Sequence, residues 1–332
     1  MATLRDISAE TGFSIATVSD VLNGNHRGVR RDAKERARKI MEVAKRMGYR
    51  PNMAARAMRT RRTWQIGLLV GETFNPTTGS KVQMFGQMLR EHRYKLMLGL
   101  TGGGHDEQDA YLREFASGLV DGIINLDSKI SMEHWQKTVG SNLPFINFGR
   151  DDQTNPSRFD YESGMRLPVR HLHELGHRTI GLILGQKEDV ATAMRCHGFV
   201  DEMSQLGLDN KRIAYGDWTF ESAVDCAQQL VKSGCTAIIA ANDQMAMGTM
   251  DAVRSMGLSV PGDVSVAGYD DSVLASQISP RLTSVRIPFK QMITLAVRDM
   301  VGRIQGNTPL KSHMFKPELI VRDSTAKSVA NV

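Results

Sequence analysis

The string His173-Glu174-Leu175-Gly176-His177 has the H-E-x-x-H spacing that can set two imidazoles and a general base around zinc on one helical face. Here the glycine works against that geometry. Gly176 reads as a helix terminator, because an apolar strand opens at Thr179, so His177 falls beyond the helix and off the face of His173. No clear third ligand accompanies the pair, and a zinc site is not expected. Gly102-Gly103-Gly104 lacks both the lysine of a phosphate-binding loop and the G-x-G-x-x-G spacing. Asp270-Asp271 offers two carboxylates but needs more converging on it to hold a metal. The three cysteines, Cys196, Cys226 and Cys235, are odd in number and have no C-x-x-C spacing, so they read as free thiols in a reducing compartment. No catalytic constellation, metal or cofactor is expected.

The other chemistry on offer is the reading of nucleic acid. Residues 14–23, Ser-Ile-Ala-Thr-Val-Ser-Asp-Val-Leu-Asn, follow a first amphipathic helix at 3–10 across the tight step Thr11-Gly12-Phe13. Thr3 and Asp6 stand three apart and suit a reciprocal cap. Ser14 suits the cap of the second helix and Gly24 its close. Val18, Val21 and Leu22 recur at three and four and turn inward onto Leu4 and Ile7. Ile15, Ala16, Thr17, Ser19 and Asp20 are left near the outer face. A short, polar-faced second helix set across a glycine turn is the geometry of a helix-turn-helix DNA reader. Spacing alone also suits an ordinary surface helix pair, and charge tips the balance. Residues 1–62 hold 15 Lys and Arg against 6 Asp and Glu, a net of +9, while residues 63–332 hold 27 against 30, a net of −3. A basic head on a mildly acidic body is the electrostatic footprint of nucleic-acid binding by the head.

The elements that must position these residues follow in order. A third helix at about 31–47 carries Ile40, Val43, Ala44 and Met47 on one stripe, with Tyr49 packing behind it. The basic segment 50–62 starts at Pro51, suited to a helix start, and orders when phosphates neutralise Arg56, Arg59, Arg61 and Arg62. Met58 near its end reads equally as a wedge between minor-groove base steps or as packing against the partner's hinge helix or the body. From Trp64 short apolar runs alternate with amphipathic helices, among them Ile66–Val70 with a helix from Lys81, Gly122–Leu126, Thr179–Leu184, Ala237–Ala241 and Val264–Gly268. Residues 107–126 and 221–240 echo each other as an acidic-started helix running into an apolar strand. This is an α/β pattern of parallel sheets covered on both faces, two halves with a ligand cleft at the carboxyl ends of the strands. The tail 324–332 is small and polar and reads as frayed and flexible, with no heptad pattern. No apolar run approaches the roughly 18 residues a membrane span needs, and the start lacks an apolar signal core, so the chain reads as cytoplasmic.

Taken together, these residues resemble the LacI/GalR family of bacterial transcriptional repressors over nearly the whole chain. The likeness rests on Thr17-Val18-Ser19, Val21-Leu22-Asn23, Gly48-Tyr49-Arg50-Pro51-Asn52, Ala55-Arg56, Ile66-Gly67-Leu68, Asn75-Pro76, Val120-Asp121-Gly122, Leu175-Gly176-His177-Arg178, Ala241 to Ala246, Gly257-Leu258, Val260-Pro261 and Gly268-Tyr269-Asp270. It implies a helix-turn-helix domain at 1–48, a hinge helix at 49–62 and a periplasmic-binding-protein-like core at 63–323. That core would comprise two doubly wound parallel-sheet subdomains, about 63–161 with 289–323 and about 162–288. It also implies a homodimer on double-stranded operator DNA, with a small effector altering operator affinity.

Carried over by position, Ile15, Ala16 and Asp20 fall where base-reading side chains sit. Thr17, Ser19 and Asn23 mainly support these or contact phosphates, Thr3, Ser14, Asn52, Ala55, Arg56 and Arg59 are further DNA-binding candidates, and Met58 replaces the family's usual leucine wedge. Asp20 departs from a common donor. A carboxylate there accepts hydrogen bonds, as from a cytosine amino group, and repels phosphate, or else it pairs with a basic neighbour. The basic loop 24–31 is longer than the family pattern. In the cleft, Arg195 matches the effector-binding arginine, Trp218 the stacking aromatic, and Asn242 and Asp270 polar contacts at strand ends. Thr77 and Thr78 stand where the family often has aromatics. Asn125, Asp127 and Asp160 are lesser candidates. A flat ring face, a bidentate donor and carboxylate or amide acceptors suit a sugar. The competing readings are a sugar-binding receptor without DNA function and an enzyme on the same α/β halves.

Overall fold

The computed structural model describes residues 2–22, 31–50, 57–58, 60–71, 76–102, 104–127, 129–140, 143–149 and 154–328. The chain divides into two compact units, Met1–Thr63 and Trp64–Val332.

In the first unit, α1 (Leu4–Thr11), α2 (Ile15–Leu22) and α3 (Arg31–Arg46) pack around Ile7, Val18, Val21, Ala37, Ile40, Val43 and Ala44. The local sequence sets each end. Asp6 N donates to Thr3 Oγ1 at 3.3 Å while Thr3 N donates to Asp6 Oδ2 at 2.8 Å, the reciprocal cap that the spacing predicts. Gly12 then takes φ +76°, a left-handed turn that a side chain disfavours, and the second helix begins three residues later. Thr17 N donates to Ser14 Oγ at 3.2 Å. Tyr49 and Met47 close the small core, as the stripe on the third helix predicts.

The second unit opens on β1 (Gln65–Val70), α4 (Pro76–Glu91), β2 (Lys95–Leu100), α5 (His105–Glu114), β3 (Ile123–Asn125), α6 (Met132–Thr138) and β4 (Phe145–Asn147). The four strands form a parallel sheet in the order β2-β1-β3-β4. After β5 (Ser157–Phe159) come α7 (Tyr161–Glu174), β6 (Ile180–Leu184), α8 (Val190–Gln205), β7 (Ile213–Tyr215), α9 (Phe220–Lys232), β8 (Ala237–Ala240), α10 (Asp243–Ser255), β9 (Ser265–Asp270) and β10 (Thr283–Arg286). The chain ends on α11 (Phe289–Ile304), β11 (His313–Phe315) and β12 (Glu318–Ile320). The second sheet runs β12-β10-β9-β8-β6-β7, parallel except for the β12–β10 pair, and β5 pairs with β11. β1, β6 and β8 are continuous apolar runs because helices cover both faces. One apolar core joins the two halves, from Ile66, Leu68 and Phe85 to Ile180, Leu182, Phe199 and Tyr269.

Three expectations need correction. α4 starts at Pro76 rather than Lys81, because proline suits the first helical turn. The return segment 289–323 is shared between the halves: α11 packs against α4 of the first half, as expected, but β12 adds to the second sheet beside β10. Residues 324–328 are also no free tail. Ser324 is fully buried, its Oγ donating to Val266 O at 2.6 Å and accepting from Thr283 N at 2.8 Å. Ala326 N donates to Ser265 Oγ at 3.0 Å, and Ser328 N to Leu175 O at 2.9 Å. Small polar residues read as fraying from composition, but here they complete the hydrogen bonding of β9 and β10. Residues 329–332 lie outside the described residues.

Candidate effector cleft and DNA-reading face

The carboxyl ends of both sheets meet at a cleft of about 240 Å³. Val70 and Gly71 after β1, Asp127 after β3 and Gly149 after β4 line one wall. Gln186 after β6, Trp218 after β7, Asn242 after β8 and Asp270 at the end of β9 line the other. Ligands bind at this end of open parallel sheets because the loops there are free to diverge while the strands hold their stems rigid. The volume, just below the usual range for ligand sites, suits one small molecule.

Arg195 on α8 is 5% exposed. Its guanidinium carbon lies 4.4 Å from the Tyr269 ring centre, 5.0 Å from Tyr161 and 5.3 Å from Trp218. Three aromatic rings thus surround the cation. Its nearest carboxylate is Asp270, at 3.7 Å, and its buried Nε has no hydrogen-bond partner. Burial pushes the Asp270 carboxyl up, while Arg195, Lys81 and a Thr77 hydrogen bond pull it back.

Trp218 sits at φ +74° and Asp270 at φ +106°, conformations that cost a bulky residue backbone energy and cluster where function demands a side-chain direction. Around Trp218 the structure is built to hold that direction. Its Nε1 donates to Asp189 Oδ2 at 2.5 Å, and Asn242 Nδ2 donates to its carbonyl at 3.1 Å. Gly185 leaves room for the ring, since a Cβ there would come within 2.0 Å of it. Asn242 also caps α10, accepting from Met245 N at 2.7 Å, so it positions Trp218 as well as facing the cleft.

Thr77, Thr78, Arg195, Trp218, Asn242 and Asp270 therefore come together at one cleft, joined by Asp127. Two expected residues do not. Asn125 is fully buried, its amide donating to Asp127 O and Asn147 Oδ1, so it ties β3 to β4. Asp160 caps α7, accepting from Ser163 N at 3.0 Å. Sequence reading missed Lys81, Tyr161, Asp189 and Phe289, all of which line the cleft. Asp189 was signalled as the polar residue before a helix. Lys81 was signalled by Pro76: a helix begun there puts Thr77, Thr78 and Lys81 on one face.

The zinc-like string resolves as Gly176 predicts. Gly176 takes φ +91°, and His177 leaves the helix for the second sheet, where Nδ1 meets Thr236 Oγ1 at 2.9 Å and Nε2 meets Ser265 Oγ at 3.1 Å. Asp271 is held by Arg286 at 2.7 Å and Arg322 at 2.6 Å. Among the described residues no cluster of three His, Cys, Asp or Glu is placed to hold a metal.

Behind the cleft, Asp243 is buried with Oδ1 accepting from Ser284 Oγ at 2.5 Å and Oδ2 from Ser272 N at 2.6 Å. Burial, with Asp270 nearby, pushes its carboxyl up to about 7. The folded state thus holds a proton that the unfolded chain releases near pH 4, so Asp243 favours folding below that pH and loses this contribution as pH rises towards 7. Asp243→Asn removes the titrating group; its Oδ1 can still accept from Ser272 N, while its Nδ2 has to donate to Ser284 Oγ, reversing that bond. Its melting temperature is expected to fall less than the wild type's between pH 4.5 and 7.5; parallel profiles by calorimetry would show that Asp243 is not the titrating group.

On the first unit, Thr3, Ser14, Ile15, Ala16 and Asp20 are exposed and Thr17 and Ser19 half-buried. Ile15 is 44% exposed and Met58 85% exposed, large apolar side chains left in water by a domain with little core. Asn23, Asn52, Ala55, Arg56 and Arg59, the Gly24 helix close and the loop 24–30 lie outside the described residues.

A helix-turn-helix head followed by a two-sheet core with a small-molecule cleft defines a class, the DNA-binding regulators built on a periplasmic-type receptor. Residues 3–52 match the profile of "Bacterial regulatory proteins, lacI family", and residues 169–325 that of "Periplasmic binding protein-like domain". The chain is 34% identical to the HTH-type transcriptional regulator MalR of Streptomyces coelicolor, covering 98% of this chain and 97% of that protein. Among solved structures, the Lac repressor dimer bound to operator and an anti-inducer superposes with a TM-score of 0.85 at 26% identity, covering 98% and 99% of the two chains. The CelR–cellobiose complex superposes with a TM-score of 0.71 at 28% identity, covering 98% and 100%. The chain belongs to the LacI family of bacterial transcriptional regulators: it is a DNA-binding regulator, not an enzyme. Among the described residues no helix is long and apolar enough to cross a membrane.

Proposed function

We propose that this regulator acts in the cytoplasm as a homodimeric repressor whose operator affinity is set by one small carbohydrate bound in the cleft. The observation that carries the reading is Arg195, caged by three rings with a buried unpaired Nε, facing Asp270 and the Trp218 ring. Sugars pair their hydroxyls with such charged groups and lay their CH faces on an aromatic ring. CelR in its cellobiose complex and the operator-bound Lac repressor dimer support the ligand class and the assembly. The domain reading assigns 1–48 to DNA, 49–62 to a hinge and 63–323 to ligand and dimerisation, and residues 324–328 now join the core. Ile15, Ala16 and Asp20 would read base edges, Thr3, Ser14, Thr17, Ser19, Asn23, Asn52, Ala55, Arg56 and Arg59 would position the head, and Met58 would wedge a base step.

Ligand that favours one arrangement of the two core halves changes operator affinity by linkage. A thermal-shift screen of residues 63–332 with hexoses, pentoses, disaccharides, sugar acids, sugar phosphates and purines tests the ligand class. One carbohydrate class is expected to raise the melting temperature by several degrees near 100 times its dissociation constant. A shift by purines with none by carbohydrates would overturn the carbohydrate assignment.

A further inference from the structure

We infer that the effector carries an anionic oxyacid group, a phosphate or a carboxylate, received jointly by Lys81 and Arg195. The inference rests on the carbohydrate-effector reading and narrows it. Lys81 comes from α4 in the first half of the core, and its ammonium lies 4.3 Å from the centre of the Phe289 ring. Among the described residues that ammonium has no hydrogen-bonded acceptor. Burial, with the Arg195 cation nearby, pulls its pKa down, and Asp270 pulls it up. Arg195 comes from α8 in the second half, and its Nε is likewise buried without a partner. One carboxylate, Asp270, therefore faces two cations, and it stands 3.7 Å from Arg195, beyond hydrogen-bonding distance.

The other acids of the cleft are already engaged. Asp127 Oδ2 accepts from Thr101 Oγ1 at 2.6 Å and Gln108 Nε2 at 3.0 Å, and its Oδ1 from Lys129 N at 2.9 Å. Asp189 accepts from Trp218. A neutral polyol supplies only dipoles to the two cations, whereas an oxyanion supplies short charge-assisted bonds to both. Because Lys81 and Arg195 belong to different halves, the same group would also draw the halves together. That gives the ligand the differential affinity for one arrangement that a regulator needs.

Isothermal titration of the full chain with matched probes tests this. The probes are glucose, glucose 6-phosphate and gluconate; galactose, galactose 6-phosphate and galactonate; ribose and ribose 5-phosphate; and inorganic phosphate alone. An anionic member is expected to bind at least tenfold more tightly than its neutral parent, the phosphate or the acid arm showing which source is used. Lys81→Met should lower the ratio of anionic to neutral affinity at least tenfold, and Lys81→Arg should retain it. Should Lys81→Met fold poorly, sodium chloride reads the same effect on wild type: the anionic probe weakens with salt and the neutral one does not. Equal binding of neutral and anionic members, unchanged in Lys81→Met, would overturn the inference and leave the carbohydrate reading standing. Binding of no carbohydrate probe, alongside saturation by a purine such as hypoxanthine titrated in the same way, would overturn the carbohydrate reading itself.

Discussion

Arg195→Ala is expected to weaken effector binding at least ~100-fold and leave the DNA-reading head folded. The arginine is buried among three rings in the cleft, and its Nε is buried without a hydrogen-bond partner. Hydrogen bonds to a charged group contribute about 1.5–3 kcal/mol each, so losing two exceeds two decades of affinity. Removing it also leaves the Asp270 carboxylate without its nearest cation, and empties the space between Tyr161, Trp218 and Tyr269. Arg195→Lys separates these effects. It keeps a charge among the rings but loses the planar fork, so it should melt close to wild type and still bind weakly. Calorimetric titration of both variants checks the expectation; wild-type affinity in Arg195→Ala would remove Arg195 from the site.

The second large effect concerns the head. Residues 1–62 carry a net charge of +9 while the remainder carries −3. Without the head, specific DNA binding should disappear, and the acidic core should not retain even weak salt-dependent affinity. Effector affinity in residues 63–332 should stay within a fewfold of the full chain, because every cleft residue lies beyond residue 69. In the full chain, log affinity should fall steeply with log salt, with a slope near −0.9 for each phosphate contact. Anisotropy titrations of both proteins on labelled duplex check this, and specific binding by the headless core would overturn the assignment.

Much of this was legible in the sequence, and the reasons differ by region. The head was legible because its signals are local: Thr3 with Asp6, Gly12, and the 3–4 recurrence of Val18, Val21 and Leu22 all act within one turn. The strands were legible because burial on both faces forces unbroken apolar runs such as Ile180–Leu184. The cleft was only partly so. Arg195 and Trp218 are separated by the rest of α8 and one strand, and nothing in their spacing shows that Tyr161 and Tyr269 close over the guanidinium. Asn125 and Asp160 look like their neighbours in composition, yet one ties two strands and the other caps a helix. Polar residues at strand ends serve structure as often as ligand, and only their hydrogen bonds tell which. Residues 324–328 misread for a related reason, since their partners on β9 and β10 are distant in sequence.

The central claim is that cleft and DNA are thermodynamically linked. The direct measurement is the affinity of the full chain for an operator selected from random duplexes, by fluorescence anisotropy, with and without saturating effector. The account predicts a change of at least about fivefold, and the same factor in effector affinity when the operator is bound. Equal operator affinity in both conditions, with the cleft shown to be saturated, would contradict it.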